Sequence, residues 1–314
     1  MSTRTGIEES VAPPPEGTPW TVLHLVRWSA VYLAGKGVPD PRLDAEHLLG
    51  DVLGMSRLGL YLQYDRPLTQ AELEGFRVRI RERARRKPLQ YVLGRAPFRD
   101  LELEVDPRVL IPRPETETLV EEVLVWVEGR GMEALAGLDV GTGSGAIALA
   151  LALEGGFGKV VATDTSEDAL SVARGNAARL RADEVEFRLG SLLTPVGEGE
   201  RFDVLVSNPP YVRREEYGDL APEVREWEPE AALVSGDRGV ELLDQLVAGG
   251  PRVLAPGGLL ALEVGEGQAK AVAEMIRGTG AFGEPRIRKD LAGRDRIVLA
   301  TRDRDSRSTN WEGR

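Results

Sequence analysis

The chain has no cysteine and only two histidines among its 314 residues. The first absence excludes disulfides, thiolate metal sites and a cysteine nucleophile. His24 and His47 stand alone without metal-ligand spacing, so both read as ordinary core or surface residues and no metal site is expected. No apolar run approaches the roughly 18 residues that a membrane helix needs. The opening stretch, MSTRTGIEESVAPPPEGTP, lacks the apolar core of a signal peptide. Its Pro, Gly, Ser and Glu cannot bury enough surface to offset the entropy of ordering, so residues 1–19 are expected to be a disordered tail, as is the polar end 303–314. These absences predict a cytoplasmic protein that engages no membrane.

Charge is plentiful but uneven. The net charge is −11, yet residues 1–100 hold 15 Lys and Arg against 12 Asp and Glu, while residues 101–314 hold 25 against 39. An acidic second part argues against a broad grip on nucleic acid, because phosphate contacts need clustered cations.

Hydrophobic period changes along the chain. Leu23, Val26, Ala30 and Leu33 follow helical spacing, and Asp44 to Leu53 forms a second such stretch. Thr69 with Glu72 has the pattern of a capping box opening a third helix, expected to run to about Arg86 and to end before Pro88. Residues 20–87 therefore read as a small helical domain. Leu101, Leu103 and Val105 alternate with acids, which makes 97–105 one arm of a short hairpin within a linker at 88–110. From 111 to 302 strands alternate with helices. Strands are expected at 137–140, 159–163, 185–189, 202–206, 258–264, 285–289 and 295–301, the last two pairing antiparallel because no helix separates them. The fold class is α/β: a doubly wound, mostly parallel, seven-stranded Rossmann-like sheet following a helical N-terminal domain.

Gly141-Thr142-Gly143-Ser144-Gly145 joins a strand to a helix. Glycines there let the backbone approach a ligand closely. Their G-x-G-x-G spacing differs from the G-x-G-x-x-G of dinucleotide sites, which counts against a pyrophosphate ligand. Asp164 ends the next strand, where an acid can accept hydrogen bonds from both ribose hydroxyls of an adenosine. As a bare structural element it would be a helix N-cap, although Thr165 or Ser166 could serve instead.

The reaction is read from Asn208-Pro209-Pro210-Tyr211, which follows the buried strand Phe202 to Val206. Ligands of open sheets bind beyond the carboxyl ends of strands, so the tetrapeptide lies where chemistry occurs. Two prolines fix the backbone and remove two N–H donors, leaving an array of acceptors. Such an array grips an –NH₂ through both hydrogens. The nitrogen of an amide or aromatic amine is a poor nucleophile because its lone pair is delocalised. Accepting its hydrogens returns electron density, and positioning does the rest. Tyr211 can stack on the planar group. Together these features predict S-adenosylmethionine-dependent methylation of a planar, conjugated nitrogen, with S-adenosylhomocysteine as product.

These motifs are joined by others: Gln90 to Gly94, Leu110 to Glu117, Pro222-Glu223-Val224, Glu228-Pro229 and Lys289 to Arg296. In this order they resemble the peptide chain release factor glutamine methyltransferases, the HemK and PrmC family, over about residues 20–302. The resemblance implies methylation of the glutamine in the Gly-Gly-Gln loop of class I release factors. It implies cofactor contacts at Gly141, Thr142, Gly143, Ser144, Gly145, Asp164 and Asn208, and catalytic and substrate contacts at Asn208, Pro209, Pro210 and Tyr211. It also implies that 20–87 docks the release factor. One departure is Gly190-Ser191-Leu192-Leu193, where relatives carry Gly-Asp and then an aromatic; Leu193 is expected to supply an apolar wall for the adenine. No oligomer is implied, and a monomer is expected.

Two segments divide between function and architecture. Ile111 to Glu117 either borders the active-site mouth or is simply a proline-initiated helix start with acids favoured by its dipole. Arg77, Arg79, Arg81, Arg83, Arg85, Arg86 and Lys87 form a basic run that either meets the partner or is a solvated helix face, and spacing by twos, which spreads them around the helix, weighs against a single-face patch. The alternatives to a release-factor enzyme are a ribosomal-protein glutamine methyltransferase, a DNA or RNA adenine amino-methyltransferase, and a non-catalytic adenosine-binding module. The acidic balance and the lack of a long insertion weigh against the nucleic-acid enzyme.

Overall fold

The chain folds into two units, one of helices alone and one in which helices flank strands. The computed structural model describes residues 12–15, 17–129 and 135–304; most of the two expected tails lies outside these. Where the N-terminal stretch is described, the Ala12 carbonyl lies 2.8 Å from His24 Nε2. One unit comprises residues up to Gly94 with Pro222–Trp227, and the other comprises Arg95–Ala221 with Glu228 onward.

The first unit is helical: α1 (Val22–Ala34), α2 (Pro41–Leu53), α3 (Arg57–Leu62), α4 (Gln70–Ala84) and α5 (Leu89–Leu93). Its core gathers Leu25, Leu33, Leu48, Leu49, Phe76 and Ile80. Thr69 and Glu72 form the expected capping box. α4 stops at Ala84, earlier than its periodicity suggests, because Arg86 takes a left-handed φ of 65°. The arginine run does not form one solvated face. Arg83 is buried and bridges Asp44 at 2.6 Å and Glu223 at 3.0 Å, and Arg86 also grips Glu223. Arg79 pairs with Asp51. Pro222–Trp227, which the sequence groups with the sheet, is thus fastened to the helical unit, with Lys87 over the Trp227 ring. Arg77 and Arg81 instead border an open groove with Trp20, Trp28 and Tyr32, and neither has a carboxylate partner among the described residues.

The second unit opens on an antiparallel hairpin, β1 (Arg95–Phe98) and β2 (Leu101–Glu104). The stretch 97–105 is therefore not one arm: the chain turns at Arg99, whose φ is 52°. The remaining strands are β3 (Ala136–Val140), β4 (Lys159–Asp164), β5 (Val185–Leu189), β6 (Phe202–Ser207), β7 (Leu254–Glu263), β8 (Arg286–Lys289) and β9 (Asp295–Thr301). They form one seven-stranded sheet in the order β5-β4-β3-β6-β7-β9-β8, parallel except for β9. Both faces are buried, so inward residues alternate between two cores. Val204 and Val206 pack with α6 (Pro114–Glu128) and α7 (Ala146–Glu154). Leu205 packs on the other face with α10 (Glu241–Val253) and α11 (Ala269–Thr279). α8 (Glu167–Leu180) joins β4 to β5, and a short α9 (Pro222–Arg225) falls within the segment held by the helical unit. β3 lies between β4 and β6, so successive connections leave it in opposite directions. That switch opens a crevice at the strands' carboxyl ends.

Candidate active site

Three strand ends meet at this crevice. Gly141 and Gly143 leave β3, Asp164 ends β4, and Asn208, Pro209 and Pro210 leave β6; all six line one cavity of about 210 Å³. Thr165, Ser166, Ser191 and Leu192 line it as well. The glycine loop adopts a conformation closed to other residues: φ is 76° at Gly141, 55° at Gly143 and 86° at Gly145. A Cβ at Gly141 or Gly143 would meet no protein atom within 4 Å, so these positions face open space.

The loop is fastened from beneath. Asp139, fully buried, accepts the Thr142 hydroxyl at 2.7 Å and the Ala148 N–H at 3.1 Å, while its Oδ1 has no partner. Burial pushes the Asp139 carboxyl up to about 7. Asn176, also fully buried, donates to the Ser144 and Glu104 carbonyls and accepts the Glu104 N–H, tying loop to hairpin. Neither Asp139 nor Asn176 carries a motif signal that marks it for this task. Asp164 accepts the Gly143 N–H and the Ser166 N–H, each at 2.9 Å. The helix cap beyond it is Ser166, whose hydroxyl accepts the Ala169 N–H. Asp164 is therefore not that cap. Each carboxylate oxygen has a second lone pair that can turn to the cavity.

Not every expected contact faces the crevice. Thr142 and Ser144 are buried in the loop's underside, and Gly145 caps α7. Leu193, expected as an apolar wall for the adenine, does not line the cavity. It is buried against Gly249 and packs in the core beneath α10, while Leu192 lines the cavity in its place. The cause is a left-handed turn at Leu192, φ 48°, which sends the two side chains apart. Tyr211 sits beside the cavity, not in its lining. Its carbonyl accepts Gln268 Nε2 at 2.9 Å, and the Arg296 guanidinium lies 5.8 Å from its ring centre. Burial, with Glu263 nearby, pushes its phenol up to about 12, so it stays protonated.

Asn208 is held across the fold. Its Nδ2 donates to Thr116 Oγ1 at 2.9 Å, and Thr116 Oγ1 donates to Glu263 Oε2 at 2.7 Å. Burial raises the Glu263 carboxyl to about 7. Around this chain Arg113 grips Glu228 with both carboxylate oxygens within 2.8 Å, and Arg294 joins Glu115 at 2.8 Å and Asp290 at 2.8 Å. Ile111 to Glu117 is thus both a helix start and a neighbour of the cavity: Pro114 opens α6, and Thr116 reaches Asn208. Among the described residues no group of three or more His, Asp or Glu is placed to hold a metal, and no helix is long and apolar enough to cross a membrane.

Two family models match: the PrmC N-terminal domain over residues 24–94 and a methyltransferase domain over 133–279. The release factor glutamine methyltransferase of Geobacter sulfurreducens is 44% identical over 279 residues, covering 89% of this chain and 96% of the relative. The chain belongs to the release factor glutamine methyltransferase family. The enzyme of that name from Chlorobaculum tepidum is 41% identical, covering 90% of this chain and 97% of the relative. The hMettl16 catalytic domain, solved with an RNA hairpin, is 17% identical with a TM-score of 0.50, covering 72% of this chain and 81% of that one; it shows the fold alone.

Proposed function

We propose that this enzyme methylates the side-chain amide nitrogen of the glutamine in the Gly-Gly-Gln loop of class I peptide chain release factors. One observation carries the reading beyond family membership. The reaction residues Asn208, Pro209 and Pro210 and the cofactor residues Gly141, Gly143 and Asp164 wall the same cavity. S-adenosylmethionine, when bound, supplies an electrophilic sulfonium methyl. The residues present fit it: open space beside Gly141 and Gly143, the Asp164 acceptor for ribose hydroxyls, and Leu192 for the adenine.

The chain's own groups do the rest. Asn208 Oδ1 and a carbonyl of the Pro-Pro turn accept the two amide hydrogens of the substrate. This returns lone-pair density to the nitrogen and fixes its direction. Tyr211, its carbonyl held by Gln268 and its ring beside Arg296, lies next to the cavity at the end of this turn. No strong base is needed before bond formation, because the surplus proton becomes acidic only as the new bond forms.

Docking of the intact release factor falls to residues 20–87. The groove of Trp20, Trp28 and Tyr32 flanked by Arg77 and Arg81 suits a segment carrying both apolar and acidic side chains. The same reading has the enzyme act in the cytoplasm as a monomer, without sequence-specific nucleic-acid contacts. Incubation of purified release factors with the enzyme and methyl-labelled cofactor tests the function. Peptide mass spectrometry should place one methyl on the Gly-Gly-Gln glutamine; a release factor left unlabelled, or labelled only at another residue, would reject the substrate.

A further inference from the structure

We propose that Thr116 and Glu263 are positioning residues that orient the Asn208 amide so that its oxygen, not its nitrogen, faces the substrate. The inference rests on the role given to Asn208 above. The two ends of an asparagine side chain are nearly isosteric, so its neighbours alone decide which way it points. The wrong orientation would present N–H₂ donors to the N–H₂ of a glutamine, and no acceptor would remain to hold the substrate.

Thr116 supplies the decision. A threonine hydroxyl has one proton, and toward the ionised Glu263 carboxylate, which only accepts, it is given to Oε2 at 2.7 Å. The oxygen can therefore offer Asn208 only a lone pair, and it accepts Nδ2–H at 2.9 Å. Reversing the amide would set two acceptors against each other at a partly buried contact and leave the hydrogen bond unmade. Little water reaches the far side of this pair: Thr116 is 4% exposed and Glu263 1%. The parts are also rigidly mounted, Thr116 in the first turn of α6, Glu263 at the end of β7 and Asn208 just after β6. β6 and β7 are paired neighbours, so the distance from Asn208 to Glu263 is fixed by the sheet. Glu263 acts here through Thr116 and contacts no substrate.

The experiment uses full-length enzyme and intact release factor. Thr116→Val keeps the shape and removes the hydroxyl; it should lower kcat by roughly 10- to 100-fold, as for a reacting group set slightly askew. The KM for release factor and the Kd for S-adenosylmethionine should each stay within about 2-fold. Thr116→Ser retains the hydroxyl and should keep kcat within about 3-fold of wild type. Thr116→Ala provides a second hydroxyl-free variant should valine disturb the packing. In an Asn208→Ala background, Thr116→Val should cost nothing further, since the residue it serves is gone. If Asn208→Ala alone leaves turnover intact, the reading of Asn208 fails and this inference with it. If Asn208→Ala abolishes turnover while both hydroxyl-free variants run at the wild-type rate, the positioning role is overturned and the catalytic reading stands. Full additivity in the double variant overturns it equally.

Discussion

Replacing Glu263 by glutamine should flatten the pH dependence of stability. Glu263 is 1% exposed in the fold, and burial raises its carboxyl from 4.5 to about 7. The Thr116 hydroxyl, Arg296 and Arg113 favour the charged form, while Glu115 opposes it; burial outweighs them all. A group whose folded value is raised binds its proton more tightly in the native state. Its contribution is thus fully present below pH 4.5 and is lost as pH rises toward 7. A shift of that size corresponds to on the order of 3 kcal/mol of native stability lost between pH 4.5 and pH 8. Glutamine retains an oxygen that can accept the Thr116 hydroxyl but has no proton to lose. Urea unfolding of both proteins at intervals from pH 5 to pH 8 measures the difference. Asp139, likewise raised to about 7, contributes equally to both and cancels. Wild type should lose stability relative to E263Q as pH rises through about 7. Parallel curves would show that Glu263 is not carrying a raised carboxyl, and its burial would need another explanation.

Further expectations follow from the cofactor loop and the helical unit. Asp164→Ala removes the acceptor of the Gly143 and Ser166 N–H groups as well as any ribose contact. Calorimetry should show S-adenosylmethionine binding weakened about tenfold or more, and an unchanged Kd would leave Asp164 a purely structural tie. Reversing charge at the groove with Arg77→Glu and Arg81→Glu should raise KM for intact release factor roughly tenfold, with kcat preserved. Unaltered KM would move the docking site elsewhere.

The sheet was legible because its signal is local. Alternation in Val204, Leu205 and Val206 and helical spacing in Leu119, Val120 and Val123 are consequences of which face each side chain buries, and both are read within a few residues. The cavity's six expected lining residues were legible because strand ends and glycine spacing announce them. What remained hidden is non-local. Thr116 is 92 residues from Asn208 and 147 from Glu263, and no periodicity links them. Asn176 reaches the Glu104 backbone across 72 residues in the same way. The exchange of Leu193 for Leu192 turned on a left-handed φ at a leucine, a conformation that sequence preference disfavours. Pro222–Trp227 joined the helical unit because Glu223 answers the buried Arg83, a pairing that only the folded chain reveals.

The central claim is that the Asn208 carboxamide oxygen grips the glutamine –NH₂, and comparing Asn208→Ala with Asn208→Asp tests it most directly. Each variant is first matched to wild type in thermal unfolding and S-adenosylmethionine affinity, because Asn208 also braces the loop through Thr116. Methyl transfer to intact release factor is then measured at saturating cofactor. Alanine should lose at least about 100-fold in turnover, comparable to removing one preorganised hydrogen-bonding group from a reaction centre. Aspartate keeps an acceptor oxygen in the same place and should retain measurable turnover above alanine. Near-wild-type turnover in Asn208→Ala would contradict the account, whatever family the chain belongs to.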